Sequence, residues 1–346
     1  MKSLAAIVMV ATSFVSIALS VASATPPPAL PTDVYGRLPN IELVKISPSG
    51  THIAYITVKG DQRTLVIKDL SGALLLSAPV RDTKVRNLDW AGDDRLLLTA
   101  TSTKKTNLYR GEFDQTLVAN LANSKSFVVF GTGVAVFQAT YGYYGAVHEG
   151  GHWYGYFGAL TLQKTLGFEP SFSGNESIDL YRVDLDDGAA MIANSRLLIP
   201  HEWAVDGAGK IVAHSEYAPV SAQWTLRPGP VSGTVITKFV DPLAETNLMG
   251  LGRSSDTVVV DKPEPEEWSV STGAHAPLKA DRLIEGYLFD PTDRRLVGVA
   301  FAGDRADDQF FDERLAARQK VLRKALGATA RIVSWSDDQG NRVKVS

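Results

Sequence analysis

The sequence has no cysteine in 346 residues. Disulfides and thiolate metal sites are therefore excluded, and stability must come from burial of apolar surface, which hydrophobic residues at 45% can supply. Positive charge is not in excess either: 35 basic residues face 38 acidic ones, a net charge of −3. That balance gives no electrostatic footprint for nucleic acid or anionic lipid. No serine carries glycine at both −2 and +2, so the nucleophile elbow of an α/β-hydrolase is missing. Its nearest approach is Gly252-Arg253-Ser254-Ser255-Asp256, and no catalytic residue is assigned.

Long apolar runs are confined to the start. Lys2, the run Leu4 to Val21 and the small residues Ala22-Ser23-Ala24 read as a secretory signal over residues 1–24. Pro26-Pro27-Pro28 and Pro31 follow at once and suit an extended linker over 25–33 better than a membrane anchor. The expectation is an exported protein, periplasmic or secreted, free of the membrane once the signal is cleaved.

What is present is a recurring phrase: a turn of Ser, Pro, Asp and Gly, then a compact apolar strand. Ser47-Pro48-Ser49-Gly50 precedes Ile53 to Ile56, Ala91-Gly92-Asp93-Asp94 precedes Leu96 to Leu98, and Asp206-Gly207-Ala208-Gly209 precedes Ile211 to Ala213. Looser copies start at Arg253, Asp290 and Ser336. Adjacent turns stand about 40 to 47 residues apart, the length of a four-stranded propeller blade. A β-sandwich also has short strands and Gly/Pro turns, but it lacks this recurrence. The fold expected is all-β: a propeller over residues 34–346, with the chain stopping inside its last blade.

A second phrase, alternating strand, acidic or Gly turn, strand, marks outer hairpins. It runs from Leu65 to Gly72, Asn107 to Gly111 and Asp179 to Gly188, and more loosely from Trp224 and Trp268. Residues 141–176, rich in Gly and aromatics, read as a long loop inserted in the third blade. A short helix is predicted over 312–326: Asp312 caps it, Glu313 favours its positive end, Leu315, Leu322 and Leu326 share a face, and Gly327 stops it.

His148-Glu149-Gly150-Gly151-His152 matches H-E-x-x-H, a zinc-site motif of metallopeptidases with the Glu as base. It works only on a helix, where i and i+4 histidines share a face. Two glycines cost that helix about 2 kcal/mol relative to alanines, so the segment is expected to be a flexible loop that binds no zinc. Glu169 stands where a third ligand would be sought. His52, His201, His214 and His275 are scattered singly, and Trp90, Trp203, Trp224, Trp268 and Trp335 fall beside the repeats, where packing between blades is their expected role. No metal and no cofactor is called for.

With these repeats in view, the chain resembles the N-terminal propeller of exported serine peptidases of the prolyl oligopeptidase family, the group of dipeptidyl and acylaminoacyl peptidases. Tyr35-Gly36-Arg37-Leu38-Pro39 with Val44 to Gly50, Phe289 to Val299, and Arg331 to Ser336 carry the resemblance. It implies a propeller that positions or gates peptides and docks a hydrolase domain, which this sequence does not contain. Three functions are thus expected to compete: a propeller that does not hydrolyse peptides by itself, a free-standing scaffold that binds peptides or proteins, and a zinc peptidase at His148, Glu149 and His152. An unpaired blade edge at the end implies self-association.

Overall fold

The computed structural model describes residues 40–345 except 61, 81–82, 106–109, 132–135, 163–176, 196–200, 231–232, 281, 303–306 and 337–342. The signal, the linker, Tyr35 to Pro39 and Glu169 lie outside the described residues. Residues 39–346 belong to one compact unit.

Strands take up nearly all of it, in seven consecutive antiparallel sheets. The first holds β1 (Ile41–Ile46), β2 (His52–Lys59), β3 (Gln62–Asp69) and β4 (Leu74–Val80). The second holds β5 (Lys84–Ala91), β6 (Arg95–Lys105), β7 (Arg110–Asn120) and β8 (Lys125–Val128), and the third β9 (Tyr143–Glu149), β10 (His152–Thr161), β11 (Ser177–Asp184) and β12 (Ala190–Asn194). The fourth holds β13 (His201–Val205), β14 (Ile211–Ala218), β15 (Gln223–Pro228) and β16 (Thr237–Val240), and the fifth β17 (Asn247–Leu251), β18 (Thr257–Asp261), β19 (Glu266–Ser269) and β20 (His275–Pro277). The sixth has three strands, β21 (Ile284–Phe289), β22 (Leu296–Phe301) and β23 (Asp307–Phe310), followed by helix α1 (Glu313–Leu326). The seventh has two described strands, β24 (Ile332–Trp335) and β25 (Val343–Val345). Strand order follows chain order in every sheet, the meander of a propeller blade.

The core lies between sheets. Ile56 and Leu65 of the first sheet meet Leu88 and Leu98 of the second, and Leu97 and Val118 on the second meet Phe157 and Val183 of the third. Strand β18 shows why inner strands are apolar without alternation: Val258 and Val260 pack toward the fourth sheet while Val259 packs against Leu296 of the sixth. Each described turn of the first phrase joins the first and second strands of its sheet, as Ser47–Gly50 does between β1 and β2; most of the copy from Ser336 lies outside the described residues.

Three expectations are corrected. Residues 141–176 are not a loop where described: Tyr143–Glu149 and Thr161 back to His152 form the paired first strands of the third sheet. Their turn is a two-residue Gly150-Gly151 connection with φ of 60° and 85°, both positive as in a type I′ hairpin. Glycine here specifies a tight turn rather than looseness. Of the phrase from Asn107, residues 107–109 lie outside the described residues, and Arg110-Gly111 is no outer turn: it opens β7, and the outer turn of that sheet follows Asn120. In α1 the Asp312 carboxylate accepts from the Arg314 and Leu315 amides and Gly327 is the C-cap, as read, but Leu326 is exposed because the last turn runs past its packing partners. The buried contacts are Leu315 against Phe310 and Ile332, and Gln319, which donates to Ala330 O and accepts from the Ile332 amide.

Candidate functional site

The first strands converge on the ring axis, and six of the seven, β1, β5, β9, β17, β21 and β24, send residues into one cavity of about 390 Å³. Its walls are aromatic: Trp90, Tyr143, Tyr287, Phe289 and Trp335. Its charges are Lys45, Asp89, Asp290 and Arg294.

Two of the wall residues, Trp90 and Tyr287, are held by hydrogen bonds. Trp90 donates from Nε1 to Lys45 O at 3.4 Å and stacks on His52, whose Nδ1 lies 3.0 Å from Asp93 O. Tyr287 donates to Asp261 Oδ1 at 2.6 Å. Burial pushes the Tyr143 hydroxyl well above the usual phenol range, so it remains a donor. Burial likewise raises Asp89 against the pull of Lys45 and Arg294, and Asn87 donates to it at 2.5 Å. Asp290 is committed to its own turn, accepting from the Thr292 and Asp293 amides.

Arg294 stands apart. It follows the Asp290–Asp293 turn in a left-handed conformation, φ 65°, which L-residues with side chains seldom adopt. Its guanidinium lies 5.9 Å from the Tyr143 ring centroid. It occupies the space beside Gly145: a Cβ built there would come within 2.1 Å of Arg294 Cζ. Among the described residues neither the Arg294 guanidinium nor the Lys45 ammonium has a hydrogen-bonded or ion-paired partner.

The H-E-x-x-H residues are elsewhere, at the tip of the β9–β10 hairpin. Glu149 pairs His152 and His148 pairs Trp153 across it, so the two histidines project from opposite faces. His148 packs on Trp153 with ring centroids 5.2 Å apart. Glu149 bonds Arg182 at 2.6 Å, and the shared face that a zinc site of this motif needs is not formed. His152 instead lies 3.1 Å from Asp184 and 3.6 Å from Asp186. Asp186 Oδ1 already accepts from Arg95 and Asn120 at 2.7 Å each, so this group ties the third sheet to the second. His214 is buried with Nδ1 2.6 Å from Gly229 O, His275 stacks on Trp268, and the backbone of His201 pairs Glu216. His52, His214 and His275, whose side chains are described, share no site.

Of the tryptophans, Trp203, Trp224 and Trp268 are buried in the core as expected, whereas Trp90 and Trp335 line the cavity. The sequence reading missed the cavity itself. Its one available signal is an aromatic or charge on the first strand of most repeats, Asn247–Leu251 being the exception; the register needed to see that these face the axis is not readable.

No family model and no curated protein matches the sequence. Among solved structures the chain is similar to an acylaminoacyl peptidase in complex with Z-Gly-Gly-Phe-chloromethyl ketone, at 14% identity and a TM-score of 0.46 over 80% of this chain and 44% of that one. It is also similar to the Pyrococcus horikoshii acylaminoacyl peptidase, at 13% and 0.45 over 80% and 44%. The β-propeller domain of the Trilobed protease from Pyrococcus furiosus, described as having an open velcro topology, is similar at 12% and 0.42 over 79% and 77%. The chain spans less than half the length of the two acylaminoacyl peptidase chains, and the likeness is one of β-propeller fold.

Proposed function

We propose that this chain is an exported, non-catalytic propeller that holds short peptides in its axial cavity and presents them to a hydrolase domain or partner chain. The observation that carries the reading is the cavity: aromatic surface for side chains, flanked by cations without partners among the described residues, in a volume within the roughly 300–1,000 Å³ of small-ligand sites. Peptides suit it because they combine apolar side chains with charged ends. The leader-like start supports export, and the missing nucleophile elbow supports a role without hydrolysis.

Trp90 and Trp335 make the reading testable by fluorescence and calorimetry. Adding tripeptides with one aromatic side chain should quench emission in the wild type, and Trp335→Ala should weaken binding while leaving the fold intact. Absence of binding at millimolar peptide would overturn it. So would labelling of a single serine by a fluorophosphonate probe.

A further inference from the structure

We propose that the axial cavity selects peptides by their free α-carboxylate, with Arg294 as the principal contact and Lys45 as its second cation. This rests on the peptide-binding reading and specifies which end of the peptide enters.

Two features of the fold are arranged around one side chain. The backbone at Arg294 sits at φ 65°, a conformation that costs about 1 kcal/mol or more for a residue with a Cβ. Across from it the β9 position is Gly145, and any larger residue would displace the guanidinium. The side chain so accommodated forms no ion pair among the described residues. Its planar fork, facing a cavity, fits a carboxylate through two parallel hydrogen bonds. Lys45 adds a second cation on the same cavity, also without a partner among the described residues.

The anions present do not compensate. Asp290 is satisfied by two backbone amides. Asp89 takes a hydrogen bond from Asn87, and burial disfavours its charge. The Tyr143 hydroxyl, on the same cavity, stays protonated and can donate. Two cations that no carboxylate pairs among the described residues, beside a hydroxyl donor, leave room for an incoming anion. An incoming ammonium would find Asp89 alone; an incoming carboxylate finds complementary charge and donors. Tyr143, Phe289 and Trp335 are then placed to cover the side chain of the terminal residue.

The test is calorimetry on the full chain with Ala-Ala-Phe, its C-terminal amide and its N-acetyl form. The free acid and the N-acetyl acid should bind alike, and the amide should bind about tenfold or more weakly, the loss expected for one charge-assisted contact. Arg294→Ala should remove the difference between acid and amide, and Lys45→Met should reduce it. Gly145→Ala serves as a second variant that leaves the arginine in place but moves it, and should also reduce the preference. Circular dichroism controls for folding. Equal binding of acid and amide would overturn carboxylate selection while leaving peptide binding intact. Loss of binding on N-acetylation would point to the ammonium end and Asp89, and overturn it as well. Failure of all three peptides to bind would overturn both the peptide-binding reading and this one.

Discussion

At the scale of single residues, the buried acids that join neighbouring sheets set how this molecule answers to pH. Glu202 on β13 accepts from the Leu248 amide at 2.6 Å and from Ser215 at 3.1 Å, tying the fourth sheet to the fifth. Burial raises its carboxyl above the ordinary 4.5, and these two hydrogen bonds only partly oppose that, with Asp261 adding to the rise. A raised acid favours the folded state while protonated, so its contribution is complete below 4.5 and is lost as pH climbs through the folded value. Glu202→Gln keeps an oxygen acceptor and cannot ionise. Denaturant unfolding should therefore show the variant gaining on the wild type between pH 4.5 and neutrality; parallel pH dependences would sink the assignment. Such residues are poorly legible in sequence. Glu202 and Arg294 look like ordinary charges in strand and turn, and only the register and the fold around Gly145 show what each faces.

At the scale of elements, legibility followed turn chemistry. Wherever the chain turns with Ser, Asp, Pro and Gly the first two strands of a sheet were readable, and α1 was fixed by its cap. The third sheet was not, because its turn is Gly150-Gly151 and its strands are crowded with Gly and aromatics that weaken the alternation signal. Both glycines have open space for a Cβ, so replacing them tests backbone strain alone. Gly151→Ala, at φ 85°, should cost about 1–2 kcal/mol in equilibrium unfolding, and the double alanine variant more. A neutral effect would mean that the hairpin does not hold this turn. The helix gives an independent case. Asp312 is well below the usual carboxylate range: burial raises it, but the Leu315 and Arg314 contacts outweigh that. Its stabilisation is thus present above the unfolded pKa and lost as pH falls. Asp312→Ala should cost about 1 kcal/mol near neutrality and less in acid, as read by urea titration at two pH values.

At the scale of the whole molecule, the question is how seven sheets hold a ring. Six apolar clusters among the described residues join consecutive sheets, from Ile56 with Leu98 between the first and second to Phe310 with Ile332 between the sixth and seventh. The sixth joint is reinforced by Arg331, which grips the buried Asp308 through two bonds at 2.8 and 2.5 Å. The meeting of the seventh sheet with the first has no such cluster among the described residues. Among the described residues the Ile46 amide donates to Ser334 Oγ at 3.1 Å across it, and the cavity walls meet there. Opening free energies within a fold track buried apolar contact, so this seam should part before any other joint. Hydrogen exchange should show the Ile46 amide and β24 exchanging well ahead of the Leu65 to Leu98 region, with Ser334→Ala widening the gap. Since the cavity straddles this seam, a bound peptide should slow exchange at Ile46 and β24 more than anywhere else in the ring, because a ligand that binds only the closed arrangement stabilises it in proportion to its occupancy. Uniform protection of all seven sheets in a monodisperse monomer would mean that the ring is sealed as firmly at this joint as at the other six, and would separate ligand binding from ring closure.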